Sequence, residues 1–328
     1  MVSYPFDLQD IIDEYRRLLI SQHGDKVAIL AVNATAVNLY SQCHLSEFSQ
    51  VYFGYLMKAI CRVVRQGQVQ ASRPFAALVS SHAFVEQAPL TGKVPVWNAC
   101  MTDSSAHFHI RIPRPYKIFA KPASSTQICP PSPMEKKAVF RGSLSAFDRV
   151  SLFNHSFHQL DACITKVPHG APCPSDRAKW CSGAPIRWLN KFNIPTCARL
   201  SLAEQLRRYR LLLSVDGVGC ADRLENLFQC GACIVKQNSP LKEYWYKHLQ
   251  PNWHYREAEK ELGNIETVVN QTLNCSLLRQ NAKLLADKYL TPEQHLRFLA
   301  RTINAYRKPF WDKWSELGHI RLKSELVC

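Results

Sequence analysis

The stretch Tyr209–Gln237 constrains the fold of this chain more than any other. An apolar run, Leu211–Val215, leads into a turn that contains Gly217 and Gly219, and a second apolar run begins at Cys233. Strand, turn, short helix and strand in this order are typical of a βαβ unit, which joins two parallel strands. The sequence therefore predicts an α/β domain with a parallel sheet.

The glycine turn of this unit has features of an anion site. Gly217 and Gly219 let the backbone approach a ligand, and a helix beginning near Ala221 would direct its unpaired N–H groups toward the turn. Arg223, in the first turn of that helix, is unfavourable unless an anion neutralises it. Glycine turns are common, so the turn alone is weak evidence. Asp216 either contacts the ligand or orders the turn through backbone amides.

A second basic and hydroxyl-bearing cluster lies upstream in Phe140-Arg141-Gly142-Ser143 and at Arg149. Guanidinium groups suit bidentate binding of phosphate oxygens. We expect Arg149 and Arg223 to contact a diphosphate, with hydrogen bonds from Ser143 and from the amides of the glycine turn. The alternative is that both arginines form surface salt bridges.

Three ordered motifs together resemble one family. They are FRGS with an arginine eight positions after the first, YRLLLSVDGxGxxxRLxxL, and VKQxSPxxEYWYxxLxPxxHY. Over roughly residues 95–310 the chain resembles the glycosyltransferases of family 90, the group of protein O-glucosyltransferases and capsule-associated, lipopolysaccharide-modifying proteins. The resemblance implies the GT-B fold, an α/β fold in which two Rossmann-like domains face a cleft.

The resemblance and the chain length together predict two domains. A chain of 328 residues, 46% of them hydrophobic, is long enough for two cores. We expect an N-terminal, acceptor-side α/β domain over 1–195 and a C-terminal, nucleotide-sugar-binding Rossmann-like domain over 196–289. The helices of 290–328 are expected to cross back onto the first domain.

Local patterns predict several further elements. Apolar residues recur at helical spacing over 6–20 and 45–65, and Phe75–Val79 has the composition of a short strand. We interpret the aromatic stripe of the second helix, which includes Phe48 and Tyr52, as core. Further helices are expected over Leu290–Tyr306 and Pro309–Leu317.

The third motif is expected to hold the nucleoside. Ser239 as N-cap and Pro240 as first residue predict a helix, with Glu243 one turn into it. The resemblance implies that Glu243 accepts hydrogen bonds from the ribose hydroxyls, although a carboxylate there would also complement the helix dipole. Lys236, on the preceding strand, is either a second diphosphate contact or a solvated strand end.

The resemblance implies an inverting transferase that moves a sugar, glucose or xylose in the common cases, from a UDP-sugar to a hydroxyl group. The expected donor substrate is UDP-glucose or UDP-xylose, the acceptor is a protein or polysaccharide, and no cofactor is permanently bound. The chain has no clear Asp-x-Asp pair, which favours a reaction without a bridging metal.

The general base is the point at which this chain departs from the family. The family's aspartate precedes a hydrophobic run that corresponds here to Ile110-Arg111-Ile112-Pro113, and His109 stands in its place. Histidine is able to act as a base near neutral pH. Asp103 is a second candidate and Asp161 a third. The alternative is a catalytically silent member that binds a nucleotide sugar or a glycan.

A net charge of +15 indicates anionic partners. The basic residues are spread in pairs such as Arg16-Arg17 and Lys136-Lys137, whereas nucleic-acid-binding proteins usually concentrate them on one motif-bearing element. We therefore expect no nucleic-acid partner. The charge fits a nucleotide sugar, acidic glycans or a membrane surface.

Thirteen cysteines are dispersed along the chain, which favours an oxidising compartment. The pair Cys230 and Cys233 has C-x-x-C spacing without a second pair, so core or disulfide cysteines are favoured over a zinc site. Because the count is odd, we expect at least one unpaired thiol, and Cys328 is the candidate.

The family's usual compartment, together with Asn-x-Ser/Thr sequons such as those at Asn33 and Asn154, favours the lumen of the endoplasmic reticulum or Golgi. Met1–Leu19 carries four acidic residues where a signal peptide would be apolar. We expect a signal or membrane anchor that is not present in this chain.

Overall fold

The computed structural model describes residues 8–20, 27–32, 35–69, 75–81, 96–102, 109–120, 135–155, 157–166, 191–217, 219–306 and 322–328. The chain divides into two compact units. The first unit comprises Met1–Ala120, Leu241–Tyr244 and Thr291–Cys328, and the second comprises Lys121–Pro240 and Trp245–Leu290.

Helices and strands of the described residues are numbered in chain order. The helices are α1 Leu8–Ile20, α2 Glu47–Arg65, α3 Phe147–Ser151, α4 Leu202–Arg208, α5 Leu224–Gln229, α6 Ile265–Thr272, α7 Ser276–Tyr289 and α8 Pro292–Tyr306. The strands are β1 Val27–Val32, β2 Ala36–Tyr40, β3 Phe75–Ser80, β4 Val96–Asn98, β5 Met101–Thr102, β6 His109–Arg111, β7 Glu135–Ser143, β8 Leu160–Lys166, β9 Tyr209–Ser214, β10 Ile234–Gln237, β11 Leu241–Lys242, β12 Arg256–Ala258 and β13 Leu322–Val327.

The first unit contains a mixed six-stranded sheet in the order β13-β2-β1-β3-β4-β6. β1 pairs antiparallel with β2 and β3, whereas β3, β4 and β6 are parallel. Every residue of β1 and β3 is buried, because both strands are continuous apolar runs. Residues of α1, α2 and α8 complete the core, in which Tyr306 of α8 meets Trp97 edge-on at 4.9 Å between ring centroids.

Helix α2 begins where Ser46 accepts a hydrogen bond from the Ser49 amide. Tyr52 is buried, as expected for a core stripe. Phe48 is 51% exposed, so its assignment to the core was wrong. Phe48 lies in the first turn of α2 and contacts the ring of Tyr52, with 6.2 Å between the ring centroids, so the stripe becomes exposed toward the start of the helix.

The second unit contains a five-stranded, wholly parallel sheet in the order β12-β10-β9-β7-β8. The βαβ unit predicted over Tyr209–Gln237 is present as β9, α5 and β10. Helix α4, which precedes it, begins with a reciprocal capping box between Ser201 and Glu204. The α/β class predicted from the sequence is confirmed.

The helix predicted after Ser239 and Pro240 differs from what is observed. The segment after Pro240 is not a helix: Leu241–Lys242 form β11, which pairs antiparallel with β5, and a 3-10 helix follows at Tyr246–His248. The Ser-Pro start signal is therefore overridden by strand pairing with a segment far away in sequence.

The observed boundaries of the units also differ from the predicted one. β7 and β8 belong to the second unit, because β7 pairs with β9 and β8 pairs with β7, whereas the predicted division at 195/196 separates both strands from β9. Thr291–Cys328 belong to the first unit. The helix predicted over Pro309–Leu317 lies outside the described residues.

Three disulfides are described, Cys61–Cys328 in the first unit and Cys163–Cys197 and Cys233–Cys275 in the second. The prediction that Cys328 is the unpaired thiol is therefore wrong, because β13 brings it beside α2. Of the predicted C-x-x-C pair, Cys233 is in a disulfide and Cys230 is a buried thiol. None of the described helices is both long and apolar enough to cross a membrane.

Candidate functional site

The carboxyl ends of β7 and β9 are neighbours in the second sheet, and Arg149 from α3 connects them. Its Nη1 donates to the carbonyl and hydroxyl oxygens of Ser143 at 2.8 and 3.1 Å. Its Nη2 and Nε donate to the carbonyls of Val215 and Asp216 at 3.0 and 3.1 Å. In this structure the guanidinium thus binds carbonyl oxygens at the edge where open parallel sheets bind ligands.

The glycine turn lies directly against this guanidinium. A Cβ atom on Gly217 would come within 2.6 Å of the Ser145 hydroxyl and 3.2 Å of Nη2 of Arg149. A side chain at this position would therefore displace the Ser145 hydroxyl or the Arg149 guanidinium, because the turn backbone approaches both closely. The Gly217 amide donates to the Gly219 carbonyl at 3.1 Å, so this N–H group is engaged within the turn.

Arg223 lies beside Arg149 at the same sheet edge. It is the N-cap of α5, one residue before the predicted position in its first turn. Its Nη1 donates to the Arg141 carbonyl at 2.9 Å, its Nη2 donates to the Leu213 carbonyl, and its guanidinium lies 5.0 Å from the centre of the Phe140 ring. Burial and the nearby charge of Arg149 lower the pKa of Arg223 to about 9.

Asp216 orders the glycine turn. Its Oδ1 accepts a hydrogen bond from the Ala221 amide at 2.6 Å, and its own amide donates to Oε1 of Gln237 at 3.1 Å. The side chain is buried, and among the described residues its Oδ2 has no hydrogen-bond partner. One carboxylate oxygen thus shapes the turn while the other is left without a donor.

Arg141 serves a different purpose from the other two arginines. Its Nη2 is 2.7 Å from Oδ1 of Asp161, and the Tyr209 hydroxyl also donates to this carboxylate. Burial raises the pKa of the Asp161 carboxyl, but hydrogen bonds from Tyr209 and Arg141 outweigh it, and the net pKa is lowered. A carboxylate of lowered pKa is a weak base. Asp161 instead forms an ion pair with Arg141 and accepts a hydrogen bond from Tyr209, and these contacts join β7, β8 and β9.

Glu243 lies in the first unit and pairs with Arg114, whose Nε is 3.0 Å from its Oε1. The carboxylate is 4% exposed and follows strand β11 instead of lying on the predicted helix. Both charges act on the buried Tyr52, whose pKa is raised mainly by burial, lowered by Arg114 and raised by Glu243. The alternative role of complementing a helix dipole is therefore wrong.

Lys236 and Ser239 are both buried in the second unit. The ammonium group of Lys236 donates to the Gln237 carbonyl at 2.8 Å and lies 5.3 and 5.9 Å from the ring centres of Tyr246 and Tyr255. Lys236 is thus not the solvated strand end that was one of the two alternatives. The faces of the two rings attract the ammonium group through their quadrupoles.

Of the two main base candidates, His109 has a described backbone position and Asp103 does not. His109 is the first residue of β6 and pairs in parallel register with Val96, but its side chain lies outside the description. Asp103 lies outside the described residues altogether. Within the described ranges, no group of three or more His, Cys, Asp or Glu side chains is arranged to hold a metal ion.

Two residues of these clusters were missed in the sequence. Arg114 directly follows the hydrophobic run after His109, yet its pairing with Glu243, 129 residues away, has no local signal. Tyr209 opens the second motif, and its polar hydroxyl at the start of an apolar strand was a usable indication of a buried hydrogen bond.

Comparisons with known proteins identify the family. The family model for glycosyl transferase family 90 matches residues 126–300, more than half of the chain. The chain therefore belongs to glycosyltransferase family 90. This range includes Arg141, Arg149, Arg223 and the glycine turn. No curated protein sequence matches the chain significantly.

Several solved structures are similar to parts of the chain. HepE from Anabaena, solved in complex with UDP-glucose, is 12% identical over 64% of each chain, with a TM-score of 0.41. Sucrose-phosphate synthase from Thermosynechococcus elongatus is 8% identical over 61% of this chain and 53% of its own, with a TM-score of 0.39. TarM is 12% identical over 71% and 47%, with a TM-score of 0.36. The chain thus spans less than two thirds of the length of each.

Proposed function

We propose that this protein is an inverting glycosyltransferase that moves a sugar from a UDP-sugar to a hydroxyl group on a protein or glycan. Glucose and xylose are the proposed sugars. Membership of glycosyltransferase family 90 supports the reaction type, and the second unit supports a diphosphate site.

The observation that carries the proposal is the pair of guanidinium groups at the carboxyl edge of the second sheet. Arg149 and Arg223 lie 5.6 and 5.0 Å from the centre of the same Phe140 ring. Their repulsion contributes to the lowered pKa of Arg223. A diphosphate bound to both would offset that repulsion and accept charge-assisted hydrogen bonds.

Binding of a diphosphate requires some hydrogen bonds of Arg149 to change partner. Its donors now reach main-chain and hydroxyl oxygens of Ser143, Val215 and Asp216. Phosphate oxygens carry more negative charge than carbonyls, so the exchange strengthens as charge develops on the leaving group. Asp216 keeps the turn in shape throughout, because its bond to the Ala221 amide does not involve the ligand.

The remaining roles follow the family motif. Glu243 is proposed to accept hydrogen bonds from the ribose hydroxyls, and its ion pair with Arg114 holds the carboxylate in place. His109 is proposed to remove the proton from the acceptor hydroxyl. The acceptor oxygen then forms a bond to the anomeric carbon while the bond to the UDP oxygen breaks on the opposite face, which inverts the configuration.

Calorimetric titration with UDP tests the diphosphate site. Arg223→Ala should weaken UDP binding by roughly 1–3 kcal/mol, the size of a lost charge-assisted hydrogen bond. Lys260→Ala, which removes a cation that is 58% exposed in the same unit, is the matched control and should bind as wild type. Unchanged affinity in a folded Arg223→Ala variant would remove Arg223 from the site.

A transfer assay separates an active enzyme from a catalytically silent family member. The donor is selected first by the shift in unfolding temperature that each UDP-sugar produces. Release of UDP that depends on an acceptor supports transfer. UDP binding without turnover of any UDP-sugar by the wild type would leave the silent alternative.

We also propose a lumenal location, in the endoplasmic reticulum or Golgi. The disulfides Cys61–Cys328, Cys163–Cys197 and Cys233–Cys275 support an oxidising compartment. Sensitivity of the expressed protein to endoglycosidase checks this, since modification of the sequons at Asn33 or Asn154 requires passage through the lumen. An unmodified protein with reduced cysteines would contradict it.

A further inference from the structure

The second unit has a groove of about 450 Å³ that the proposed transfer reaction does not use. It is formed by the 3-10 helix Tyr246–His248, the turn that follows it and helix α7. The described residues that line it include none of those assigned to the diphosphate, the ribose or the acceptor proton. We call it the Trp253 groove.

Flat aromatic surfaces are the first feature of the Trp253 groove. Trp253 is 51% exposed, which is unusual for the largest apolar side chain. The rings of His248 and Tyr289, which also line the groove, stack with a centroid distance of 3.9 Å and an angle of 6°. The groove thus offers the half-exposed indole of Trp253 as an aromatic surface for a ligand.

The exposure of Trp253 is fixed by the backbone. Asn252 adopts a φ of 65°, a conformation that asparagine tolerates better than most residues, and its amide donates to the Tyr255 carbonyl at 2.7 Å. Nδ2 of Asn281, on α7, donates to the Trp253 carbonyl at 3.0 Å. The turn is held from both sides, so the indole is presented by the fold instead of by a loose loop.

Positive charge is the second feature. Lys247 and Lys288 line the groove, and of the described residues that line it none carries a carboxylate. Burial, followed by the charges of Lys247 and Lys288, lowers the pKa of His248, and burial lowers that of His254. Both histidines are therefore neutral at pH 7, and the lysines supply the charge. Nδ1 of His254 accepts from the Gln250 amide at 3.0 Å, which leaves Nε2–H as a donor.

We propose that the Trp253 groove binds a sugar residue that carries a carboxylate or sulfate group, within a glycan chain. The apolar face of a pyranose ring fits against an exposed aromatic ring, hydroxyl groups suit the polar side chains, and the anionic group pairs with the lysines. A nucleic acid is disfavoured, because its binding depends on a long track of phosphate contacts and this groove offers two lysines. The proposal concerns binding alone and does not rest on the transfer reaction.

Fluorescence anisotropy with labelled hexasaccharides tests this proposal on the whole chain. Chondroitin sulfate carries both carboxylate and sulfate groups, and hyaluronan carries carboxylate alone, so the pair separates the two sources of charge. Trp253→Ala and Lys288→Ala should each weaken binding at least about tenfold. Leu277→Ala, which shortens an apolar side chain 58% exposed on α7, and Lys260→Ala are the matched controls and should bind as wild type.

Thermal unfolding and UDP titration of the same variants keep the result interpretable. Trp253→Ala should unfold near the wild-type temperature and retain wild-type UDP affinity, because it lies outside the diphosphate site. Failure of both hexasaccharides to bind, or equal binding by wild type, Trp253→Ala and Lys288→Ala, would overturn the proposal. So would a single-stranded DNA 12-mer that bound more tightly than either hexasaccharide and required Trp253.

Discussion

The two units build their sheets from the same kinds of residue but use them differently. In the first, β13, β2, β1 and β3 pair antiparallel, so the carboxyl ends of these strands alternate between the two edges, and only β3, β4 and β6 run parallel. In the second, all strands are parallel, so their carboxyl ends share one edge. That edge gathers Arg149, Asp216 and Arg223 from distant parts of the sequence. The charged groups are brought together at this edge by the direction of the strands more than by the amino-acid composition of the sheet.

The first unit differs in how its charged groups are held. Arg114 and Glu243 form one buried ion pair. At the edge of the second sheet, by contrast, two cations lie close together and an oxygen of Asp216 lacks a donor among the described residues. The excess of positive charge at that edge of the second sheet is the feature that points to an anionic ligand.

The largest effect should come from His109, in the first unit. His109→Ala should lower turnover about 10²–10⁴-fold, the range of general acid–base catalysis, and leave UDP affinity nearly unchanged. Wild-type transfer should fall as the pH drops through about 6.5, because only neutral imidazole accepts a proton. Transfer kinetics and UDP titration of the same variant check this. His109→Asp should keep or raise activity.

Replacement of the alternative base, Asp103, provides the result that would contradict the prediction for His109. Asp103→Ala should retain most turnover if His109 is the base. Full transfer by His109→Ala together with loss of transfer in Asp103→Ala would assign the base to Asp103. Activity created by His109→Asp in an inactive wild type would instead identify a degenerate transferase that still binds its donor.

The disulfides of the two units close loops of very different length. Cys61–Cys328 spans 267 residues, whereas Cys233–Cys275 spans 42. Replacing Cys61 and Cys328 by alanine should lower the free energy of unfolding by about 2–4 kcal/mol. Because this disulfide closes the longer loop, chain entropy predicts that its loss costs about 1–2 kcal/mol more than the loss of Cys233–Cys275. Urea unfolding measures both. Cys43→Ala, a half-buried thiol, should have a much smaller effect; equal effects of all three changes would contradict the loop account.

The Asp161 ion pair should contribute to the stability of the second unit. Asp161→Asn should lower the free energy of unfolding by about 1–3 kcal/mol near pH 7, since Arg141 and Tyr209 lose a charged acceptor. Because the folded-state pKa of Asp161 is lowered, this contribution is present above its unfolded pKa of about 3.9 and is lost as the pH falls below it. Urea unfolding from pH 7 to pH 3 checks the trend.

Glu261, an exposed carboxylate in the same unit, provides the matched control for the Asp161 ion pair. Glu261→Gln changes a side chain that is 78% exposed in the same unit and should leave stability nearly unchanged. If Asp161→Asn and Glu261→Gln had equal effects at every pH, the pair with Arg141 would contribute nothing measurable.

Local sequence predicted what local interactions determine. The βαβ unit was predictable, because apolar runs and a glycine turn encode it over Tyr209–Gln237. The helix expected after Pro240 was wrong, since β11 forms by pairing with β5, and the pairing of Cys328 depends on β13 reaching α2. Such contacts between distant segments leave no trace in a local pattern. The motifs pointed to Arg149 and Arg223, because these residues lie within local patterns. The carbonyl partners of Arg149 and the ion pair of Glu243 were not predictable, because they join segments that are distant in the sequence.

The central claim is that Arg149 and Arg223 bind one diphosphate. UDP titration of wild type, Arg149→Ala, Arg223→Ala and the double variant tests it directly, with Arg149→Lys as a variant that keeps the charge but loses the planar fork. Thermal unfolding confirms that each variant is folded. The account predicts weaker binding in each single variant and a coupling energy of about 0.5–3 kcal/mol. Unchanged UDP affinity, or simple additivity in folded variants, would contradict it.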